Sequence, residues 1–373
     1  MGAPVIVYCG HMFEQDSAEE PALAARIGAA IDELGATEAF GPLACGGDIL
    51  IAEAMLARGG RLDVVLPFAE DDFLAESVRC GGEGWLPRYH ACKNAAHAVH
   101  FATPTAYVHD DNQFNYNTRF AMGLAALRAR ELGCDAVQLA VMSSKAKSFS
   151  ATGLAGTAAD VGIWERLGKR TVVVEAGPVE RNLKFPPKPP ANEDVRREIR
   201  SILFADYKGF SRLGEREMPL FMREVMGRIG EVLDAFSGHV EFRNTWGDAI
   251  YAILDEPTIA AGLALSLQRA LRDLPPELEP EGATAGMRIG LHYGPIYVGS
   301  DRVTHADLWY GGEVNRTARI EPVTPIGDVY CTEPFASALI LDGADDLEVV
   351  PLGERELAKN FGTVRLYRLV SAS

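Results

Sequence analysis

The 373-residue sequence has few basic residues for its size, with 36 Lys and Arg against 52 Asp and Glu and a formal net charge of −16. Nucleic acids and anionic membranes are bound by basic surfaces, because counterion release and Coulomb attraction both need positive charge. The composition therefore argues against a nucleic-acid-binding or membrane-surface protein. It leaves open an enzyme or a binding module for small molecules.

Long apolar runs and a secretory leader are also missing. No apolar stretch approaches the roughly 18 residues of a transmembrane helix. Residues 1–9 lack the basic and apolar regions of a signal peptide. The six cysteines are scattered and form no C-x-x-C pair, which indicates reduced thiols and not a disulfide or zinc framework. We therefore expect a cytoplasmic protein.

Proline is concentrated in one segment, which divides the chain. Residues 177–192 include the run K-F-P-P-K-P-P, and proline fixes φ and removes backbone donors, so this stretch predicts an extended spacer. We predict a first domain over residues 1–176, a Pro-rich linker over 177–192 and a second domain over 193–373. The alternative is a long loop inside one domain, which is uncommon in compact folds.

In the first domain, short apolar runs alternate with helical patterns. This alternation predicts a Rossmann-like α/β domain, in which helices cover a parallel sheet. The predicted strands are 5–8, 62–66, 136–141 and 171–174, and the predicted helices are 21–34, 49–58, 114–132 and 157–167.

The second domain has a different order of elements, which predicts an α+β sheet with helices on one face. His292 lies on one of its strands, and we expect it to be a hydrogen-bonded core residue. The predicted order is a strand over 199–205, a helix over about 219–236, a hairpin of 240–243 and 249–254, a helix over 258–271, a strand over 287–293 and a helix that begins near 312.

Two acidic residues of the second domain stand at loop ends. Asp206 follows an apolar strand in F-A-D-Y-K-G-F-S, and Asp248 lies in a predicted hairpin turn in N-T-W-G-D-A-I. Each Asp alone is compatible with a simple turn residue. Together, two carboxylates at adjacent loop ends can hold two hard cations, because Mg²⁺ prefers one or two carboxylates plus substrate phosphates.

A third motif, G-G-E-V-N-R-T-A-R, leads into a helix. Asn315 and Arg319 are four residues apart, so both lie on one helical face. Arg can stabilise charge on a transferring phosphoryl group, and Asn can orient a sugar hydroxyl. Taken singly, they could also be an exposed Arg and an Asn near a helix start.

These three motifs, in this order, resemble the catalytic domain of class III nucleotidyl cyclases, the adenylate and guanylate cyclases. The resemblance covers about residues 197–370. Residues 287–294 resemble the central strand of that family, and residues 327–331 resemble the strand after the Asn/Arg helix. The resemblance implies a ferredoxin-like α+β fold and nucleotide cyclisation.

The resemblance also assigns roles at the reacting groups. Asp206 and Asp248 would hold two Mg²⁺ or Mn²⁺ ions, and the backbone carbonyl of Tyr207 would assist one of them. These ions would activate the ribose 3′-hydroxyl and clamp the triphosphate. Asn315 would position the ribose and Arg319 would stabilise charge at the α-phosphate. A 3′,5′-cyclic nucleotide would form, and pyrophosphate would leave.

Two further implications concern phosphate binding and assembly. Lys359 matches the place of a phosphate-binding lysine in the family, and a solvated surface lysine is the alternative. Class III cyclases build each site across a dimer interface. The resemblance therefore implies an NTP substrate and a homodimer with two equivalent sites.

The residues expected to recognise the base depart from both purine patterns. Asn244 stands where adenylate cyclases usually have Lys and guanylate cyclases Glu. Leu308 stands where adenylate cyclases usually have Asp or Thr and guanylate cyclases have Cys. Asp307 is one residue away from this position. The rings of Tyr207 and Trp246 would narrow the pocket, as in the bacterial pyrimidine cyclases of antiphage signalling, which make cyclic UMP or cyclic CMP. An adenylate cyclase with both rings packed in the sheet is the alternative.

The first domain contains two glycine-rich turns, each of which follows a strand and opens a helix. Gly46 and Gly47 lie in A-C-G-G-D, and Gly153, Gly156 and Thr157 lie in G-L-A-G-T. Such turns leave N–H groups free for a phosphate and form a crevice in open α/β sheets. The sequence has no G-x-G-x-x-G and no Walker A motif. The alternative is that these glycines only allow close packing.

Residues 5–176 resemble the SLOG superfamily, which is related to the Lonely Guy phosphoribohydrolases. The P-G-G start of the hydrolase motif is missing, and Asp160 stands at its acidic position. The resemblance therefore implies a sensor of a nucleotide-derived ligand. Two other interpretations stay open, a non-catalytic nucleotide-binding module in the second domain and a nucleoside-monophosphate hydrolase in the first.

Overall fold

The structure is a computed structural model that describes residues 2–143, 155–177, 182–187, 196–278 and 286–372. The chain divides into two compact units, Met1–Ala191 and Asn192–Ser373. Among the described residues, no helix is both long enough and apolar enough to cross a membrane. The six cysteines are free thiols.

The first unit is a six-stranded parallel sheet flanked by helices, with strand order β4-β3-β2-β1-β5-β6. The alternation of strands and helices along the chain is the one expected from the sequence. The elements are β1 (Val5–Gly10), α1 (Glu20–Leu34), β2 (Glu38–Gly41), α2 (Gly47–Ala57), β3 (Arg61–Leu66), α3 (Glu70–Phe73), α4 (Trp85–Ala95), β4 (Ala98–Phe101), α5 (Asn112–Leu132), β5 (Ala136–Met142), α6 (Thr157–Arg166) and β6 (Thr171–Glu175).

The predicted strands β1, β3, β5 and β6 and helices α1, α2, α5 and α6 are confirmed within a few residues. The sequence prediction missed the short strands β2 and β4 and the helix α4. The parallel sheet agrees with the predicted α/β class, and the relation to the SLOG superfamily stays a prediction. The core is built on β1, where Val5 to Cys9 are buried.

The described part of the predicted linker packs on the first unit, so it is not a free spacer. Leu183 packs against the core of that unit, and the backbone N–H of Lys184 donates to the carbonyl of Cys80 at 2.9 Å. Proline makes the segment extended, as expected. Its apolar side chains nevertheless favour packing on the first unit, because this contact removes apolar surface from water.

The second unit is built on one long antiparallel pair. Its strand order is β13-β14-β12-β10-β7-β9-β8, with β11 added to β10. The elements are β7 (Arg196–Lys208), α7 (Met218–Phe221), α8 (Gly227–Ala235), β8 (Val240–Trp246), β9 (Ala249–Leu254), α9 (Pro257–Ala270), β10 (Gly286–Ser300), β11 (Asp307–Tyr310), α10 (Gly312–Thr317), β12 (Val329–Thr332), α11 (Glu333–Leu341), β13 (Leu347–Glu356) and β14 (Thr363–Ser371).

The predicted elements of the second unit are present, but β7 and β10 extend well beyond the apolar runs that predicted them. β7 begins three charged residues earlier, at Arg196, and β10 continues to Ser300, because the thirteen-residue ladder between the two strands supplies backbone hydrogen bonds along this length. The predicted helix over 219–236 is α7 and α8 joined by a π-helical turn, Met222–Met226.

The glycine turn after β2 brings α2 directly against β1. A Cβ on Gly47 would lie 2.7 Å from Cα of Gly10, and a Cβ on Gly46 would lie 2.7 Å from the carbonyl oxygen of His11. Gly46 also has φ +95°, which side chains rarely adopt. Both glycines therefore serve close strand–helix packing, the alternative left open by the sequence.

We predict that Gly47→Ala destabilises the first unit, because its Cβ would overlap the backbone of β1. The expected loss is about 1–3 kcal/mol, as for other overpacked sites. The control is Gly162→Ala in α6, where a Cβ would only approach the end of the Arg166 side chain at 3.4 Å. The control should be neutral or stabilising by up to about 1 kcal/mol. Urea unfolding followed by fluorescence measures both, and equal stabilities would contradict the packing role.

Candidate active site

The side chains of the predicted cyclase motifs lie on one face of the second sheet. Along β7 alternate residues point to opposite faces, so Asp206 shares its face with Ile202 and Phe204. In register, Asp206 pairs with Arg288 on β10 and with Ala249 on β9, and Ala249 pairs with Trp246 on β8. One row across the sheet therefore contains an acidic, a basic and an aromatic side chain.

Asp206 and Asp248 come together at the end of this face. Asp248 lies in the tight β8–β9 turn, where Gly247 has φ +65°. Partial burial raises the pKa of Asp248, and the nearby carboxylate of Asp206 raises it further. Two acids whose negative charges disfavour each other form a site that a cation would stabilise.

The structure adds two residues that the sequence prediction missed. Nη2 of Arg288 lies 2.5 Å from Oδ2 of Asp206 and 2.7 Å from Oε1 of Glu321. Burial raises the pKa of Glu321 to about 7, with Asp206 and Asp248 adding to the effect and Arg288 opposing it. Three carboxylates therefore share one guanidinium. Glu321 lies two residues after Arg319, the last residue of the third motif, and this proximity was the only signal for it.

The donor set fits Mg²⁺ or Mn²⁺. Carboxylate oxygens are the ligands these hard cations prefer. In the described ranges, no cluster of three or more His, Cys, Asp or Glu has metal-binding geometry. The protein therefore offers a pair of carboxylates, which suits cations that keep open positions for substrate phosphates.

Asn315 lies on α10, which packs on the same face, whereas Arg319 lies in the turn after the end of that helix at Thr317, so the two residues do not share one helical face as predicted. Asn315 is exposed and Arg319 half-buried, and neither side chain has a partner among the residues described here. Glu313, at the start of α10, lies against His292, four residues along β10 from Arg288. Four strand residues span about 13 Å. Glu321, two residues after Arg319, contacts Arg288 beside Asp206, so the segment that follows α10 runs back toward the acids.

His292 anchors α10 to the sheet. Its Nδ1 lies 2.8 Å from Oγ1 of Thr332, and its Nε2 lies 3.0 Å from Oε2 of Glu313. The ring is fully buried, and burial lowers the pKa of His292, whereas the carboxylate of Glu313 opposes that shift. The prediction of a hydrogen-bonded core histidine is confirmed, and the same contact fixes the start of α10.

The structure separates the two aromatic residues expected in the base pocket. The ring of Tyr207 is buried and packs edge-on against Phe221, on the opposite face from Asp206, so its predicted role in the pocket is corrected to core packing. Trp246 is 61% exposed and stacks at 6.3 Å on Tyr251. Only Trp246 is available to a ligand.

The two other positions expected to recognise the base, Asn244 and Leu308, also differ in outcome. Asn244 pairs with Tyr251 in the β8–β9 ladder, so it lies exposed on the same face as Trp246. Leu308 on β11 pairs with Gly299 on β10. Because side chains alternate along a strand, Leu308 points away from the face of the buried Trp309. Asp307, two residues before Trp309, shares the side of Trp309 instead. A role for Leu308 on the catalytic face is therefore not supported.

Lys359 lies in the turn between β13 and β14. It is exposed and has φ +60°, and the neighbouring Leu357 packs in one buried cluster with Ile320. That cluster places the turn beside the end of the Asn/Arg segment, since Ile320 directly follows Arg319. The geometry is compatible with a phosphate contact, which stays a prediction.

The ligand residues predicted in the first unit also divide. Gly156 and Thr157 line a cavity of about 440 Å³, whereas Gly46 and Gly47 are not among its described lining residues. Gly153 lies outside the described residues. The predicted crevice at the ends of the strands is therefore present, but only the second glycine turn faces it.

Comparison with known proteins bears on the second unit. Residues 194–370 match the family model of the adenylate and guanylate cyclase catalytic domain. This match spans nearly all of the second unit. A putative adenylate cyclase 3 from Rhizobium meliloti (strain 1021) is 31% identical over 170 residues, which are 45% of this chain and 27% of that protein. The chain thus spans about a quarter of the length of this curated relative.

Solved cyclase structures are also similar to this region of the chain. The adenylyl cyclase CyaB from P. aeruginosa has 16% identity and a TM-score of 0.41, covering 48% of this chain and 97% of that one. An adenylate cyclase from Trypanosoma brucei has 23% identity and a TM-score of 0.39, covering 48% of this chain and 91% of that one.

We predict that Arg288→Gln strengthens Mn²⁺ binding to the nucleotide-free protein by at least about fivefold. The substitution removes a positive charge beside Asp206, and nearby unit charges interact by several kcal/mol in partly buried sites. Electron paramagnetic resonance of free Mn²⁺ measures the affinity.

The control is Arg200→Gln. This substitution removes an arginine of β7 whose partners are Glu198 and Glu241. This variant should leave Mn²⁺ affinity unchanged. Weaker or equal binding by Arg288→Gln, in a protein with a normal melting temperature, would contradict the assignment of the carboxylate cluster as the cation site.

Proposed function

We propose that the protein is a nucleotidyl cyclase that converts an NTP into a 3′,5′-cyclic nucleotide and pyrophosphate. The observation that carries the proposal is the pairing of Asp206 and Asp248 at the end of one sheet face, inside a region that matches the cyclase family. A folded but non-catalytic nucleotide-binding module would not need to keep two mutually repelling carboxylates together.

The proposed reaction is an internal displacement. The 3′-oxygen attacks the α-phosphorus, the bond from that phosphorus to the bridging oxygen breaks, and pyrophosphate leaves with the electron pair. The 3′-hydroxyl gives up its proton. Two divalent cations, when bound, would lower the pKa of that hydroxyl and neutralise the triphosphate. Asp206 and Asp248 would hold them, with the backbone carbonyl of Tyr207.

The remaining groups would bind and orient the substrate. Asn315 would accept or donate a hydrogen bond at the ribose, and Arg319 would face the charge that develops on the α-phosphate. Lys359 would contact the outer phosphates. The unpaired state of the Asn315 and Arg319 side chains supports these roles, since polar groups held ready for a ligand have no competing partner in the chain.

The resemblance to class III cyclases, which build each site across a dimer interface, supports a homodimer. The acids and α10 lie on the same sheet face, which a second copy could cover. A second copy that faces the first would bring the Asn315 and Arg319 of one chain to the acids of the other, twice in a two-fold pair. The exposed ring of Trp246 on this face supports the same arrangement.

For the base we propose a pyrimidine, so that the product is cyclic UMP or cyclic CMP. Trp246 supports this, because it is exposed in the same row as Asp206 and would narrow the space beside the acids. Asn244, which can both donate and accept, lies on the same face. The alternative is cyclic AMP, which the name of the Rhizobium relative and the exposed carboxylate of Asp307 favour. The role in antiphage signalling stays a prediction.

We predict that the purified protein with Mn²⁺ and each of ATP, GTP, CTP and UTP separately yields a cyclic nucleotide, identified by mass, from UTP or CTP. Asp206→Asn and Asp248→Asn should each lower the rate at least about 100-fold, because each removes a cation ligand. Asp345→Asn, at an exposed position remote from the motifs, is the matched control and should keep full activity.

The same experiment separates the alternatives. Cyclic AMP as the main product would replace the pyrimidine proposal with the adenylate cyclase, and leave the site intact. Nucleotide binding by wild type without any product, under all four substrates, would favour the non-catalytic module. Activity that survives in Asp206→Asn would contradict the cation site itself.

A further inference from the structure

The cavity of the first unit lies where an open α/β sheet binds ligands. It has a volume of about 440 Å³, within the usual range for small-molecule sites. Its wall includes Gly10 and His11, which end β1, and Gly156 and Thr157, which open α6 after β5. From β1 the sheet continues to β2 on one side and β5 on the other, so the cavity is at the topological switch point.

Two buried side-chain oxygens in the cavity wall have no partner among the described residues, Oδ1 of Asp48 and Oδ1 of Asn117. Both side chains are more than nine-tenths buried. Their other polar atoms are engaged, because Oδ2 of Asp48 accepts from the N–H of Ala44 at 3.2 Å and Nδ2 of Asn117 donates to the carbonyl of Val65 at 3.1 Å. Buried polar atoms almost always have partners, so these two indicate an occupant that forms hydrogen bonds.

The described wall of the cavity offers an anion carboxyl groups, whose neutral form burial favours, and no Lys or Arg. Four acids line it, Asp48, Glu76, Asp111 and Asp160, and its described lining contains no Lys or Arg. Burial raises the pKa of Asp160 to about 7, although the hydroxyl of Thr118 donates to it at 2.9 Å and opposes the shift. Burial also raises the pKa of Asp48 well above its usual value. A phosphate placed here would meet acids and no described counter-charge.

The wall also contains four aromatic side chains, those of Phe73, Tyr107, Phe114 and Phe185. Such walls favour flat or ring-shaped ligands, whose faces pack on aromatic side chains. Gly156 has φ +104°, and within the described residues no atom beyond its chain neighbours lies within 4 Å of where its Cβ would be. The described surroundings therefore leave the backbone at the start of α6 open to close approach.

From these observations we propose that the cavity binds a neutral or cationic ring compound of nucleoside size, which donates hydrogen bonds through hydroxyl or amino groups and carries no phosphate. Asn117 would accept from the ligand, and Asp48 would meet a second polar group of it. The proposal changes the expectation of a phosphate on the glycine turns. It concerns the first unit alone and does not depend on the cyclase activity.

The test uses the full-length protein and a library of ring fragments sorted by charge, which includes the four ribonucleosides beside their 5′-monophosphates. Thermal shift finds the hits, and calorimetry gives their Kd. We expect the hits to be neutral or cationic hydrogen-bond donors that compete with one another. A nucleoside that binds should bind at least tenfold more tightly than its monophosphate.

Two variants assign the hits to the cavity, Asp48→Leu and Asn117→Leu, which remove the unpartnered oxygens. Each should weaken binding at least tenfold. Asp160→Asn is a third variant, which keeps an acceptor for Thr118 and should weaken cationic hits. The control is Asp32→Leu on the exposed face of α1, which should bind as wild type. Melting temperatures of the ligand-free variants show whether a loss of binding reflects unfolding.

Each result bears on the proposal. Neutral or cationic hits that are lost in at least one folded cavity variant and kept in the control support it. Hits confined to phosphorylated or carboxylated compounds would overturn it, and so would the absence of any hit. Hits that every cavity variant keeps would place the ligand elsewhere and overturn the assignment as well.

Discussion

The second unit is organised around three carboxylates that share one guanidinium. Asp206, Asp248 and Glu321 converge at the end of a sheet face, and Arg288 is the basic group that pairs with two of them. Like charges at short range are costly in a partly buried setting, so this arrangement needs positive charge. Arg288 supplies part of it in the free chain. Divalent cations would supply the rest when nucleotide arrives, which links the local electrostatics to the proposed chemistry.

The same face explains why we propose two copies of the chain. Two residues of β10 contact the two groups of site residues. Arg288 contacts the acids, and His292, four residues further along the strand, contacts α10. In a two-fold dimer the partner can present its α10 to the acids. The buried contact between His292 and Glu313 then has a functional consequence, because it sets the position of the helix that carries Asn315.

Sequence patterns predicted the elements well where burial was strong. Fully buried strands such as β1 and amphipathic helices such as α1 have clear patterns. The missed strand β4 is only half-buried, and α4 is polar and contains Pro87, so neither has a clear period. The sequence did not show that the linker contacts the first unit, because the packing of Leu183 on the core of that unit is a long-range contact.

The site was predicted in part for a related reason. Motif residues Asp206 and Asp248 stand out in the sequence, because carboxylates at strand ends have few structural uses. Arg288 and Glu321 emerge only from the register between β7 and β10, which is long-range. Strand alternation explains why Tyr207 does not line the pocket as Trp246 can. Side chains alternate along β7, so Tyr207 points away from the face that carries its neighbour Asp206.

The most direct test of the two-copy site is a mixing experiment. Asp206→Asn and Asn315→Ala should each be inactive alone, because each damages both sites of its own homodimer. When the two are mixed and allowed to exchange subunits, half of the dimers become mixed and each gains one intact site, which gives about a quarter of wild-type activity. No recovery in a mixture that demonstrably exchanges subunits, beside an active wild type, would contradict a site shared between two chains.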